Sequence, residues 1–113
     1  KKSIFTRLRN TETMLYWLKI KNASDTTYYP YEGKGSVNIS YQWLQDEEVV
    51  RDGVRVWLTG PLKPGAEVVR PAVVVFPHTA GDYNLRFSLV QEGCFWFSNV
   101  SPENSYDLPI TIK

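Results

Sequence analysis

Cysteine is almost missing from this chain. Cys94 is the only one in 113 residues, so no disulfide can close within it, and cysteine usage marks no redox compartment. Histidine is as scarce. His78 stands alone in a Pro-His-Thr corner, with no neighbouring nucleophile or second carboxylate for covalent or acid–base work, and reads as a solvated turn residue. Charge of one sign is lacking too. Thirteen Lys and Arg against twelve Asp and Glu leave a formal net charge of +1, which gives no basic footprint for nucleic acid. No apolar run approaches the length of a membrane span, so direct membrane insertion is not expected, and no signal peptide is visible. Asp46, Glu47 and Glu48 are three acids in a row without calcium-loop spacing, and read as a solvated turn rather than a metal site. No enzyme, cofactor or metal is expected on these grounds.

Aromatic residues are what the chain has in excess. They make up 14% of it, with four Trp and seven Tyr, more than one small core can hide. The length allows one domain, residues 1–113, and the abrupt start at Lys1-Lys2 reads as a domain cut from a longer protein.

Hydrophobic periodicity gives strands and no helix. Tyr83, Leu85, Phe87 and Leu89 alternate with Asn84, Arg86 and Ser88, the pattern of a strand with one face in a core. Val37, Ile39, Tyr41 and Trp43 do the same on a strand over 37–44, and Tyr16, Leu18 and Ile20 on one over 14–22, with Trp17, Lys19 and Lys21 turned outward. Further strands are expected over 3–9, 49–50, 54–59, 67–76 and 108–112. A hairpin turn is expected at Asp52-Gly53, a loop over 23–35 and another over 101–107. Pro71 points to an edge position or a bulge. This spacing predicts an all-β, immunoglobulin-like antiparallel sandwich of seven to eight strands. Trp43 would be its buried strand-C tryptophan and Tyr83 its tyrosine corner. Val73 and Val75 are expected in the core with the inward residues of the other strands. Leu18 or Ile20, with Leu85, would pack where antibody domains carry a disulfide.

The candidate site follows from the same alternation. If Val54, Val56 and Leu58 point inward, Arg55 and Trp57 point outward. If Phe95 and Phe97 point inward, Trp96 points outward. An exposed indole offers a flat apolar face for a sugar ring and a free N–H. Gln42, Arg55, Arg86, Gln91 and Glu92 are the polar side chains expected to orient hydroxyls, the last four beside Trp57 and Trp96. Three Asn-X-Ser triplets, at Asn22, Asn38 and Asn99, match the glycosylation acceptor pattern.

The segments Val37-Asn-Ile-Ser-Tyr-Gln-Trp-Leu, Asp52-Gly-Val-Arg, Pro61-Leu-Lys-Pro-Gly and Gly81-Asp-Tyr-Asn-Leu-Arg-Phe-Ser-Leu-Val-Gln-Glu-Gly-Cys-Phe-Trp-Phe-Ser together resemble an accessory immunoglobulin-like domain. Such domains are attached to bacterial glycosyltransferases and other cell-surface glycan enzymes. Asn22-Ala-Ser followed by Tyr28-Tyr-Pro is similar to another segment of the same domains, with Tyr29 where a Trp is usual, and Arg55-Val56 stands where they read Arg-Thr. The resemblance covers roughly residues 14–112. More distantly, the layout is similar to the carbohydrate-binding sandwich domains of O-antigen exporters. The resemblance implies a non-catalytic, carbohydrate-binding or glycan-associated module in a bacterium, in the cytoplasm or at the cell envelope. Its partners would be an oligo- or polysaccharide and a neighbouring domain of the parent protein. The alternative is a structural module that docks or spaces such a neighbour.

Overall fold

The computed structural model describes the backbone of residues 4–5 and all of residues 13–113. Eight strands lie among the described residues: β1 (Ile4–Phe5), β2 (Thr13–Lys21), β3 (Val37–Gln45), β4 (Glu48–Asp52), β5 (Glu67–Val75), β6 (Gly81–Gln91), β7 (Phe95–Trp96) and β8 (Ser105–Ile112). One sheet runs β1-β8-β6-β3-β4, with β7 pairing to the end of β6. The other is β2 against β5. Every pairing is antiparallel except β1 on β8. The domain is an all-β sandwich of two packed sheets, as the periodicity predicts. The first predicted strand, 3–9, lies mostly outside the described residues.

The sandwich is filled where alternation says it should be. Ile39, Tyr41, Trp43, Tyr83, Leu85 and Phe87 are buried, and Leu18, Ile20 and Leu89 pack partly buried against them. Trp43 is fully enclosed, tilted against Phe76 at 5.0 Å and edge-on to Tyr83 at 5.6 Å. Its Nε1 donates to the Val75 carbonyl across the sheets at 3.1 Å. The Tyr83 hydroxyl donates back to the Thr79 carbonyl at 2.7 Å, making the expected corner at the start of β6. Pro71 lies in a two-stranded sheet, where either strand has a free edge.

Strand β5 takes the opposite face from the one expected. Ala72, Val74 and Phe76 are buried, whereas Val73 is 51% exposed and Val75 half-buried. The run from Val73 to Phe76 is apolar on both faces, so periodicity does not choose between them. Phe76, the largest side chain, fits against Trp43, and period two then fixes the rest.

The β3–β4 connection also differs. The hairpin turns at Asp46-Glu47, both with positive φ (51° and 67°), joining the paired Gln45 and Glu48. These are the signs of a type I′ turn. Asp52-Gly53 is not a turn. The chain runs on beside β3, with the Gly53 amide bonded to the Tyr41 carbonyl and Val56 bonded both ways to Ile39. Glycine is required there for another reason: a Cβ on Gly53 would sit 2.3 Å from the Tyr41 ring. Val54 is therefore exposed rather than inward, while Val56 and Leu58 do turn in. The predicted loop over 101–107 holds a short 3-10 turn, Pro102–Asn104, and then β8 begins early, at Ser105.

Candidate functional site

The end of β6, the segment after Gly53 and the loop before β3 meet at one corner of the large sheet. The loop is pinned by backbone bonds: the Gly35 amide to the Glu92 carbonyl and the Glu92 amide to the Ser36 carbonyl, both at 2.8 Å. Gln91 adds a bond from Nε2 to the Gly35 carbonyl at 3.2 Å. Gln91 thus fastens the loop and does not line the site.

Arg55 and Glu92 form the centre. Arg55 Nε donates to Glu92 Oε2 at 2.6 Å and Nη2 to Oε1 at 3.2 Å, a two-point pairing of planar groups. Arg55 Nη1 also reaches the Ser40 hydroxyl at 3.3 Å. Asn38, wholly buried, donates from Nδ2 to Glu92 Oε2 at 3.0 Å. The hydrogen bond from Arg55 holds the Glu92 carboxyl below its usual range, and the Asn38 bond and the Arg55 charge act the same way. Partial burial opposes them. The outward residues Asn38, Ser40 and Gln42 of β3 are buried rather than solvated, for the segment that follows Gly53 runs beside them and Ser40 bonds its Val54 carbonyl.

Trp96 and Trp57 both adjoin this pair. The Arg55 guanidinium lies 5.4 Å from the Trp96 ring centre, a cation–π contact. Trp96 is half-buried and braces Arg55. Phe95, expected inward, is 43% exposed, because the Glu92-Gly93-Cys94 turn carries it past the core and it stacks on Phe97 instead. Trp57 is 40% exposed and meets Tyr31 edge-to-face at 5.6 Å.

Tyr31, Trp57, Arg55, Glu92, Glu32 and Lys34 surround a shallow depression of about 540 Å³. Of the six residues selected from sequence, Arg55, Trp57 and Glu92 line it, and Trp96 supports it from behind. Arg86 does not join them. It lies six positions back along β6, roughly 20 Å away at strand rise, and pairs two-fold with Asp107 at 2.9 and 3.0 Å. That pairing lowers the Asp107 pKa and raises that of Arg86.

Tyr31 and Asn38 were not among the selected residues. The cluster Tyr28, Tyr29, Tyr31 in the loop was the available signal for the first. Asn38 carried none beyond its outward place on β3. Tyr31 has φ 87°, a strained value for a residue with a side chain, and Asn38 holds it there. A larger cleft of about 590 Å³ opens between β2 and the β6–β8 face. Leu18, Ile20, Phe87 and Leu89 wall it where the sheets part, and Lys19, Lys21, Glu103 and Asn104 line it too, but none of the six residues that alternation and composition point to lies in it. Two of the three Asn-X-Ser asparagines are engaged in the fold. Asn22 Nδ2 donates to the Thr26 and Leu62 carbonyls, Asn38 Nδ2 to Tyr31 and Glu92, and only Asn99 is exposed. No family model, no curated protein and no solved structure matches this chain.

Proposed function

We propose that this domain is a non-catalytic module that binds an oligo- or polysaccharide at the Tyr31–Trp57 depression, on an immunoglobulin-like sandwich appended to a bacterial glycan-processing enzyme. The observation that carries the reading is the exposed Trp57 ring, set edge-to-face with Tyr31 beside the Arg55–Glu92 pair. Two aromatic surfaces at an angle suit the apolar face of a pyranose. Glu32 and Lys34 on the rim supply an acceptor and a donor for ring hydroxyls. Glu92 is held ionised and doubly bonded, which suits it to positioning and not to proton transfer. The immunoglobulin-like assignment draws support from the enclosed Trp43 on β3, the Tyr83 corner and β1 lying parallel on β8.

The test is titration of the domain with bacterial surface polysaccharides, read by tryptophan fluorescence. Binding should be weak, since a shallow site buries little area. It should change little with salt, because a neutral sugar pairs few charges. Trp57→Ala should abolish it with an unchanged melting temperature. Trp96→Ala should weaken both binding and the fold, because the ring braces Arg55. Wild-type protein that binds no such glycan at millimolar concentration, or Trp57→Ala that binds as wild type, overturns the proposal.

The alternative, a module that docks or spaces a neighbour, draws on a different surface: the outer face of β2 and β5, where Leu15, Trp17, Val69 and Val73 are exposed together.

A further inference from the structure

The outward residues of β2 and β5 form a ladder of cross-strand neighbours: Leu15 beside Val73, Trp17 beside Pro71, Lys19 beside Val69 and Lys21 beside Glu67. Trp17 is 65% exposed, the most exposed of the four tryptophans, and Leu15, Val69 and Val73 are each more than half exposed. Four large apolar side chains on one flat two-stranded face make a contiguous patch of a few hundred Å², the size at which monomer surfaces are commonly functional. Among the described residues, the charges of this face lie at one end. Lys19 Nζ stands 3.9 Å from Glu67 Oε1, and Lys21 is paired in register with Glu67.

We infer that this face binds a second copy of the same chain, sheet on sheet, about a two-fold axis running parallel to β2 and β5. That axis lays β2 of one copy over β5 of the other at matching height. Leu15 then meets Val73 of the second copy, Trp17 stacks on its Pro71, and Lys21 comes opposite its Glu67, each contact occurring twice. The face is self-complementary in sign, since Lys21 and Glu67 exchange places across the axis, as an isologous interface requires. Stacked sheets sit about 10 Å apart, a gap these side chains fill. The depression at Tyr31 and Trp57 is lined by the loop before β3, the segment after Gly53 and the turn after β6, and by no outward residue of β2 or β5.

Sedimentation velocity of the 113-residue chain over a concentration series tests this. The expected result is a monomer–dimer equilibrium. Trp17→Lys should raise the dissociation constant at least tenfold while the melting temperature of the dilute monomer holds. Lys21→Glu or Glu67→Lys alone should each weaken the dimer, and mixing the two single variants should restore association as a heterodimer. A chain that stays monomeric at several hundred micromolar overturns the inference, leaving the face to a neighbouring domain. A dimer untouched by Trp17→Lys, or mixed charge variants that fail to associate, overturns it equally.

Discussion

Asn38 holds the backbone of Tyr31 from both sides. Its Nδ2 donates to the Tyr31 carbonyl and its Oδ1 accepts the Tyr31 amide, each at 2.9 Å. The same Nδ2 also donates to Glu92, so one buried amide links the strained loop residue to the ion pair beneath the depression. Asn38→Ala leaves the Tyr31 amide without its partner and the Tyr31 carbonyl with the Ser36 hydroxyl alone, and the expected cost is about 1–3 kcal/mol. Asn38→Asp keeps the acceptor but sets a second carboxylate against Glu92, and should cost at least as much at neutral pH. Chemical denaturation of both variants checks the order.

Tyr83→Phe removes the bond to the Thr79 carbonyl and nothing else of the ring's packing. A loss of about 1 kcal/mol is expected. Amide exchange should quicken around residues 77–81 before it does in β6. A variant as stable as wild type would show that the corner contributes nothing.

The turn at Asp46-Glu47 places two residues with side chains at positive φ, and Glu is poorly suited to it. Replacing the pair with Asn-Gly, which adopts this geometry readily, should raise stability by about 1 kcal/mol. The same exchange fails at Gly53. Gly53→Ala drives a methyl into the Tyr41 ring and should destabilise the fold, as its thermal melt will show.

Acid should weaken the fold through Glu92 and Asp107. Both carboxyls have folded-state pKa values below their ordinary ones, Glu92 through Arg55 and Asp107 through Arg86. Their contribution is therefore complete above the unfolded values of about 4 and is lost as pH falls through the lowered folded ones. Glu92→Gln should reduce stability at pH 7 and flatten the decline below pH 4. An acid limb as steep as that of wild type would place the dependence elsewhere.

Strands β3 and β6 are legible in the sequence because apolar and polar residues alternate over 37–43 and 83–89, and β2 because they do so from Leu18 to Lys21. Strand β5 is not, since three successive valines satisfy either face and the choice rests on how Phe76 meets Trp43, a contact across sheets. The dipeptide Asp52-Gly53 has the composition of a hairpin, but the glycine serves the Tyr41 ring, and the true turn carries residues that do not announce it. At the site, although Val54 does not point inward with Val56 and Leu58, Arg55 and Trp57 are exposed as alternation expects. Their convergence with Tyr31 depends on a loop fixed by bonds from distant strands, and Arg86, outward by the same rule, is carried away by the length of β6.

The buried amides of Asn22 and Asn38 bear on how the protein can be made. A host that attaches glycans to nascent chains would meet three acceptor triplets before the sandwich has closed. A sugar on Asn22 would forbid the bond to Leu62, and one on Asn38 the grip on Tyr31, so modification and folding compete for the same two nitrogens. Only Asn99 stands clear of that race. Secreted material from such a host should separate into a soluble fraction decorated at Asn99 at most and a retained fraction decorated at the other two.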